Sequence, residues 1–431
     1  MSSENLACHC CDLIVEVSTL KQGSKAHCPR CGHLLSSQTA NAYNKATAFA
    51  ASALLFLLLS LPFPFMAFQS QGREQQVSLI QSGYDLLILG FPLLALLLSV
   101  FILIVPSLLL CAYLLILIPL RKHTTYPWSY TLARLIFTLH PWAMAEVFLI
   151  GVLVSFVKIS GMADLVIGMS FWAYVLFVLC LIATITCIDR VQLWHSLDKA
   201  SSIQRTPPKH NYGGAMQQQL QSCHCCGLIH HLDAHNCQRC SSSLHPRIPA
   251  SLQKTWAFLI TAALLYIPAN IYPIMHTRLL GADEPSTILG GVVLLWQHGS
   301  YPIALIVFIA SILIPIVKML ALFWLALSVQ AGHQNRVSER IWMYRMTELI
   351  GRWSMIDVFV VAVLVALVQL GGLASILPGI AVTAFAGVVI LTMLSAINFD
   401  PRLIWDNLDK DELHIIKSGQ EPLNDLLDEI N

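Results

Sequence analysis

The sequence predicts an all-α polytopic membrane protein made of two similar halves, because its composition, its apolar runs and an internal repeat all indicate this fold class. Of its 431 residues, 56% are hydrophobic and 11% are charged, and the mean hydropathy is +0.67. Soluble domains contain roughly 25% charged residues, so this composition does not suit a water-facing surface. A net charge of +1 argues against nucleic acid as a partner, and no P-loop for a nucleotide is present.

Eight apolar runs are long enough to be transmembrane helices, since about 20 helical residues cross the roughly 30 Å hydrocarbon layer. They cover residues 46–68, 86–119, 143–163, 165–187, 255–277, 301–328, 354–371 and 374–397. The second run is too long for one perpendicular crossing, so we expect it to tilt, to bend at Pro106 or to extend beyond the membrane. The short turns at 161–165 and 371–374 predict tight helical hairpins.

The placement of basic residues predicts the orientation of the chain. The first forty residues show no signal-peptide pattern, and Lys and Arg concentrate on the side that holds both termini. Only Arg73 and Arg278 fall on the opposite side, while Lys158 and Lys318 fall within spans. Because basic loops favour the cytoplasm, the N- and C-termini are predicted to be cytoplasmic.

Two sets of motifs recur in the same order. Cys8-His-Cys-Cys11 returns as Cys223-His-Cys-Cys226, and Trp142-Ala-Met-Ala-Glu-Val-Phe148 returns as Trp353-Ser-Met-Ile-Asp-Val-Phe359. Each half is therefore a cytosolic Cys module followed by four spans, and an even number of spans predicts two parallel repeats related by an axis along the membrane normal. The predicted domains are a first Cys module (1–44), a first transmembrane unit of four helices (45–195), a linker (196–222), a second Cys module (223–250), a second transmembrane unit of four helices (251–406) and an acidic cytosolic tail (407–431).

Each Cys module carries two Cys-x-x-Cys pairs, a spacing typical of zinc ribbons. Both thiolates of such a pair face one ion, and two pairs complete a tetrahedral sulfur site that suits zinc. We therefore predict two structural Zn²⁺ sites, closed and suited to folding and docking rather than catalysis. Their predicted ligands are Cys8, Cys11, Cys28, Cys31, Cys223, Cys226, Cys237 and Cys240. Cys10 and Cys225 are surplus, so a shifted ligand set, an iron site and a redox-sensing role remain alternatives.

Four ionisable residues fall inside the predicted spans, where they are costly unless paired or hydrated. Glu146 and Asp357 occupy equivalent places near the start of the third and seventh spans, and either a function or the helix dipole accounts for them. Lys158 lies near the outer end of its span and is expected to reach towards headgroups. Lys318 lies deeper, and we predict that it pairs with Asp357. The first half has Leu109 in place of this lysine, so the halves are not functionally equivalent.

Prolines interrupt the first span of each half towards its outer end. Proline breaks helical hydrogen bonding, and the freed carbonyl groups need protein or water beside them at membrane depth. Asn270 adds a polar group there, and segment 283–302 follows on the same side. We interpret this region as an outward-facing cavity between spans, with an ordinary kink as the alternative. The predicted cavity residues are Pro62, Pro64, Pro268, Pro273, Trp296 and Tyr301.

The two Cys modules, the two four-span units and two sequence blocks together resemble the paraquat-inducible protein A family of Gram-negative inner-membrane proteins. The blocks run from Pro285-Ser-Thr-Ile-Leu to Gly299-Ser-Tyr-Pro302 and from Gly351-Arg-Trp-Ser to Met-Ile-Asp-Val-Phe359. The resemblance extends from Cys8 to Trp405 and is closer to the PqiA branch than to the LetA branch. It implies a cytosolic zinc ribbon on each membrane unit and a periplasm-spanning MCE-domain partner that forms a tunnel towards the outer membrane.

The resemblance also implies a role in moving phospholipid or similar lipids across the envelope and in envelope integrity. With the predicted cavity, it favours a non-enzymatic lipid-trafficking component that passes lipid to or from the MCE partner. The Lys318–Asp357 pair would couple opening to protonation or to helix packing. The first alternative is a membrane anchor or scaffold for that partner with no lipid path of its own. The second is a redox sensor that uses zinc thiolates.

Overall fold

The computed structural model is mostly helical and describes residues 4–17, 20–70, 73–122, 124–159, 164–198, 214–279, 282–297, 299, 301–333, 336–367 and 374–406. Within these residues seven helical segments are long and apolar enough to cross a membrane. They are Ala42–Ser60, Pro92–Arg121, Trp128–Phe156, Met169–Cys187, Ser251–Ile271, Ala304–Gln330 and Ile380–Asn398. The eighth predicted run, 354–371, contains a helix of 12 described residues, Ile356–Leu367, and residues 368–373 lie outside the described part. The described part of the chain therefore contains seven long apolar helical segments rather than the eight spans predicted.

The first half of the chain contains two strand pairs, then helices with a small sheet. Its strands are β1 (Glu4–Ala7), β2 (Ile14–Val17), β3 (Lys25–His27), β4 (Leu34–Ser37), β5 (Met66–Ser70), β6 (Arg73–Val77) and β7 (Asp164–Ile167). Its helices are α1 (Ala42–Ser60), α2 (Leu79–Ile88), α3 (Pro92–Ser99), α4 (Val105–Arg121), α5 (Trp128–Leu139), α6 (Ala145–Ile159), α7 (Met169–Cys187) and α8 (Arg190–Asp198).

The second half presents elements of the same kinds in the same order. Its strands are β8 (Leu220–Ser222), β9 (Ile229–His231), β10 (Met275–Leu279), β11 (Ala282–Ser286) and β12 (Ala374–Pro378). Its helices are α9 (Ser251–Ile271), α10 (Ile288–Gln297), α11 (Tyr301–Phe308), α12 (Ile314–Gln330), α13 (Val337–Trp353), α14 (Ile356–Leu367) and α15 (Ile380–Asn398). Because β8 pairs with β9, the second Cys module includes residues that the sequence assigned to the linker 196–222. These residues are polar, which is why composition alone placed them in the linker.

Within each half, the first and last membrane helices pack along each other, α1 on α7 and α9 on α15. α4 and α12 lie beside these pairs. Ala46, Ala50 and Ala53 are fully buried on α1, at the spacing of one helix face. Small side chains let helix backbones approach closely in membranes, so these alanines explain the tight pairing.

Two small antiparallel sheets lie beyond the C-terminal ends of α1 and α9, which corrects the all-α prediction. Their strand orders are β6-β5-β7 and β11-β10-β12. We call the ends of the membrane helices that adjoin these strands the sheet end. The predicted spans 46–68, 165–187, 255–277 and 374–397 each combine helical and strand residues. Residues such as Met66 and Ala67 are apolar although they lie in a strand, so hydropathy could not show where the helix ends.

The long second run is divided rather than continuous. α2 ends just before Gly90, whose φ of +83° turns the chain, and a π-helical turn over Val100–Ile104 then joins α3 to α4. Gly299 and a π-helical turn over Ile309–Leu313 repeat this arrangement in the second half. Pro106 is the second residue after the first π-helical turn. A regular helix would bring its ring against an earlier carbonyl group, and the wider turn avoids that clash.

Two helices precede α6 and α14 and were not predicted from the sequence. α5 carries Arg134, and α13 carries several charged residues, so neither gave a clear hydropathy signal. α13 packs against α12 and α15 and buries Ile341, Tyr344 and Thr347 on one face. These helices therefore cover the membrane units at the ends opposite the sheets.

The two halves meet through the equivalent helices α6 and α14. The rings of Phe148 and Phe359, which match in the internal repeat, lie 5.8 Å apart between centroids. A Cβ atom added at Gly151 would lie 3.2 Å from the Cβ atom of Phe359, and the Ser155 hydroxyl donates to the carbonyl oxygen of Val360 at 3.4 Å. Contact between matching residues is typical of a two-fold interface, so an approximate two-fold axis passes between the two phenylalanines.

Gly168→Ala should destabilise the protein. Gly168 precedes α7, and a Cβ atom there would lie 2.0 Å from the carbonyl oxygen of Pro64. Forcing extra atoms into a packed site costs about 1–3 kcal/mol, so we expect a lower thermal unfolding midpoint in detergent. Gly291→Ala is the control, since a Cβ atom there meets nothing within 4 Å. Equal midpoints for the two variants would contradict this close approach.

Candidate functional site

The four Cys-x-x-Cys pairs adopt one common turn. After each pair the chain passes through a residue with positive φ, namely Asp12, Gly32, Gly227 and Ser241. The amide of that residue donates to the carbonyl oxygen of the first cysteine of its pair at 2.8 to 2.9 Å. This geometry holds both sulfur atoms of a pair on one side of the turn, as the spacing predicted.

The eight predicted ligands form two groups of four, and each group could hold a metal ion. Within each group the sulfur atoms all lie within 4.8 Å of one another. The shortest separations are 3.5 Å for Cys8–Cys31 and 3.4 Å for Cys226–Cys237. A tetrahedral ion with metal–sulfur bonds of about 2.3 Å requires sulfur atoms about 3.8 Å apart. The cysteines present therefore fit a tetrahedral ion with small adjustments.

The surplus residues of the two modules lie outside these groups. The rings of His9 and His224, which match in the repeat, are 6.0 Å apart between centroids. Burial and nearby arginines lower the pKa of His9 to about 3 and that of His224 to about 4, so both rings are neutral at pH 7. Burial raises the pKa of the Cys10 thiol to about 11. The alternative of a reactive Cys10 is therefore not favoured.

The first Cys module (described residues 4–41) rests on the membrane unit of the second half. Arg345 of α13 donates to the carbonyl oxygen of Cys31 at 2.8 Å, and the Arg30 guanidinium lies 4.1 Å from the ring centroid of Trp405. Cys8 and Cys11 pack in one apolar cluster with Tyr344 and Phe399. This docking joins the N-terminal module to the C-terminal helices.

The second Cys module (residues 214–250) rests on the membrane unit of the first half. Arg190 of α8 donates through Nε to the carbonyl oxygen of Cys225 at 2.8 Å. Arg239 forms an ion pair with Asp198, and both side chains are buried. The four Cys-x-x-Cys residues of this module belong to the largest apolar cluster, which contains residues of both halves. The modules are thus exchanged between the halves, which no sequence pattern indicated.

The two modules also contact each other between the halves. The amide of Ala215 donates to the carbonyl oxygen of Asp12 at 2.9 Å, and Arg247 pairs with Asp12 at 3.0 Å and with Asp406. Hydrogen bonds from Arg402 and its positive charge outweigh burial and lower the pKa of Asp400 to about 2. These ion pairs join the two modules to the segment that follows α15.

The structure places Lys318 in a buried polar contact different from the predicted one. Its ammonium group donates to the hydroxyl of Thr392 at 3.1 Å, and the Cβ position of Gly351 lies 3.2 Å from its Nζ atom. The predicted partner Asp357 lies in the first turn of α14, a helix that packs against α6 and α2. The sequence could place both residues at similar depth, but it could not show that α12 faces α15 here.

The first half replaces this polar contact with apolar side chains. Leu109 and Leu181 occupy the places of Lys318 and Thr392 along α4 and α7, and both leucines are fully buried. The buried lysine therefore distinguishes the second half, as the sequence indicated.

The remaining intramembrane residues have simpler surroundings. Glu146 lies in the first turn of α6, and Lys158 lies in its last turn. The side-chain amide of Asn270 donates to the carbonyl oxygen of Tyr266 at 2.9 Å, one turn earlier in α9. Tyr266 in turn donates to the carbonyl oxygen of Ile312 at 3.4 Å, within the second π-helical turn.

Three of the four predicted cavity prolines mark helix ends rather than kinks. Pro62 and Pro64 follow α1, and Pro273 follows α9, while Pro268 lies inside α9. Gly379 approaches the carbonyl oxygen of Pro273 as Gly168 approaches that of Pro64. The prolines thus end the membrane helices where the sheets begin.

The flanks on the two sides of the α6–α14 contact differ. On one side α14 packs against α2 and α3 of the other half, whereas α6 makes no comparable contact with α10 or α11 among the described residues. The most apolar stretch of Pro92–Arg121 is 56% buried, against 28% for Ala304–Gln330. We call the exposed apolar surface of α10 and α11 the open flank. It consists of Leu289, Val293, Leu294, Trp296, Tyr301, Leu305, Ile306 and Phe308.

The fold and these sites define a multi-pass membrane protein with two four-cysteine sites that could each hold a metal ion. The chain belongs to the paraquat-inducible protein A family, whose family model matches residues 43–198 and again residues 252–409. This confirms the resemblance found in the sequence. The repeated match also corresponds to the two halves described above.

Several curated relatives are similar to nearly the whole chain. Intermembrane transport protein PqiA of Escherichia coli K12 is 42% identical over 412 residues, covering 95% of this chain and 98% of that protein. A probable intermembrane transport protein of Haemophilus influenzae is 28% identical, covering 94% and 97%. Lipophilic envelope-spanning tunnel protein A of Escherichia coli K12 is 27% identical, covering 93% and 90%. The higher identity to PqiA agrees with the predicted branch. No solved structure matches the chain.

The protein should bind two metal ions per chain, because two complete four-sulfur groups are present. Cys11→Ser should lower the metal content to one ion, while Cys10→Ser and Cys225→Ser should leave it at two. Elemental mass spectrometry of the purified protein measures this directly. Loss of an ion from Cys10→Ser or Cys225→Ser would instead favour the shifted ligand set.

Proposed function

We propose that this protein is an inner-membrane component of an envelope lipid-trafficking system. It passes phospholipid-like molecules to or from a periplasmic MCE-domain partner and catalyses no reaction. The names of two relatives support the proposal, since one is called an intermembrane transport protein and another a lipophilic envelope-spanning tunnel protein. The observation that carries it is the open flank, because its exposed apolar side chains present a surface that suits acyl chains.

The proposed orientation places both termini and both Cys modules in the cytoplasm and the sheet end towards the periplasm. It follows from the distribution of Lys and Arg. The two four-cysteine groups hold Zn²⁺ as structural ions, since all-sulfur tetrahedral sites favour this metal. The two halves then act as parallel repeats, each with its sheet on the side of the partner.

The lipid path follows the open flank towards the sheet end. Acyl chains lie against α10 and α11, between these helices and α6. Trp296 and Tyr301, whose rings are 5.0 Å apart, lie where the two helices meet. Aromatic rings of this kind favour the membrane–water interface, so this pair suits the boundary between acyl chains and headgroup. Pro268 in the last turns of α9 and Pro273 just after that helix lie on the same side of the proposed path.

Lys318 is the proposed coupling residue of this path. It is 2% exposed, and a buried cation in a membrane unit is costly unless it has a function. Its contact with Thr392 is found in the half that carries the open flank. Coupling then works through the change in packing between α12 and α15 when this contact forms or breaks, with Asp357 as a further ionisable group of the same half.

A photo-reactive residue in place of Trp296 should capture co-purified lipid, whereas the same residue in place of Leu87 should not. Leu87 is the matched control, since it lies at the equivalent place in α2 and has 52% exposure against 53% for Trp296. Crosslinking is performed in detergent after purification, so only retained lipid is captured, and mass spectrometry identifies the adduct. Equal capture at both positions, or none at either, would favour a scaffold without a lipid path.

Lys318→Met should abolish envelope-barrier function while leaving the folded protein in the membrane. Methionine keeps most of the side-chain length and removes the ammonium group, so only the polar contact with Thr392 is lost. Leu109→Met is the control at the equivalent place of the first half. Barrier function is measured as the resistance to detergent and bile salts of a deletion strain that carries each variant. Full resistance with Lys318→Met, Asp357→Ala and the double variant would show that these residues are merely structural.

A further inference from the structure

We propose that the two exchanged Cys modules form a metal-dependent clasp that holds the two membrane units together at the end opposite the sheets. The observation that motivates this is the crossing itself. The first module leads into α1 but packs on α13 and on residues 399–405, which follow α15. The second module leads into α9 but binds Arg190 and Asp198 of α8 in the first half. Each module therefore bridges the two units: it is covalently attached to one and docks on the other, and it also hydrogen-bonds its own unit, through Ser36 to Asp189 and through the amide of Ile248 to Asp400.

Each module is too small to keep its shape without a metal ion. The described modules contain fewer than about 40 residues, a size at which folding usually needs metals or disulfides. Their strands are three or four residues long, and the cysteines themselves supply much of their buried surface. Because metal binding and folding are linked in such modules, loss of the ion removes the docking surface as well.

The arginines of the opposite half recognise the metal-holding turns themselves. Arg345 donates to the carbonyl oxygen of Cys31, and Arg190 donates to those of His224 and Cys225. These carbonyl groups point outwards only while the Cys-x-x-Cys turn is formed. Two unrelated elements, α13 and α8, thus supply the same type of donor to the two modules. Each donor lies in the half opposite the one to which its module is covalently attached.

The clasp differs in kind from the other contact between the halves. The α6–α14 contact is made by apolar side chains such as Phe148 and Phe359, and no cysteine ligand takes part in it. Removal of metal should therefore separate the units at the module end and leave the α6–α14 contact in place. Metal content would then determine how far apart the module ends of the two units lie.

The test uses the full-length protein with a protease-recognition sequence within residues 201–212, cut after purification so that each half runs as a separate band. A photo-reactive residue replaces Leu35, which packs in the cluster of the first module with the second half. With metal bound, it should crosslink the two bands. After treatment with a strong chelator the crosslink should fall about tenfold, since charge-assisted hydrogen bonds and packing are lost together, and added Zn²⁺ should restore it.

The same residue in place of Phe148 is the control, because its crosslink to the second half should not depend on metal. Arg345→Gln should also lower the Leu35 crosslink severalfold while the protein retains two metal ions, and Arg336→Gln, on an exposed ion pair, should not. The proposal is wrong if chelation leaves the Leu35 crosslink to the second half unchanged, or if no crosslink to the second half forms with metal bound. Loss of metal from Arg345→Gln would overturn the role assigned to the arginine.

Discussion

Phe148 and Phe359 face each other across an approximate two-fold axis, and the packing of α6 on α14 around them fixes how the halves are arranged. The contact is close because Gly151 leaves no space for a larger side chain beside Phe359. The rings of His9 and His224 form a second contact between matching residues, at the opposite end of the bundle from the sheets. Two such contacts along one axis place each Cys module near the membrane unit of the other half, so the exchange of modules follows from where the axis lies.

The same axis also shows where the symmetry is broken. A two-fold contact would bury both flanks equally, yet α14 is covered by α2 and α3 while α6 lacks such cover among the described residues. In α2 and α3, a Cβ atom at Gly83 would lie 3.1 Å from the hydroxyl oxygen of Ser99. Val292 and Phe308 stand at the equivalent places of α10 and α11. The larger pair is accompanied by a more exposed α11: Ile306 is 54% exposed, whereas Leu97 at the equivalent place of α3 is buried.

Some of this could be predicted from the sequence because the physical signals are local. The Cys-x-x-Cys spacing identified the eight cysteines that lie together in two groups of four, since the turn after each pair is a property of a few neighbouring residues. The sheets were missed because strand residues such as Met66 are as apolar as those of the helix before them. The partner of Lys318 and the exchange of the modules depend on which helices face each other, and a single sequence carries no information on that.

The buried lysine and the α11 part of the open flank lie on one continuous element of the second half. α11 passes through the π-helical turn Ile309–Leu313 into α12, and Lys318 follows that turn by five residues. π-helical turns in long helices are frequent at functional sites, and here Tyr266 of α9 donates to a carbonyl oxygen within the turn. A change in the contact between Lys318 and Thr392 would alter how α12 packs on α15. The π-helical turn joins α12 to α11, so it would transmit that change to α11. In the first half, the corresponding π-helical turn leads to Leu109, which is buried and apolar, so no polar contact there can exert such an effect.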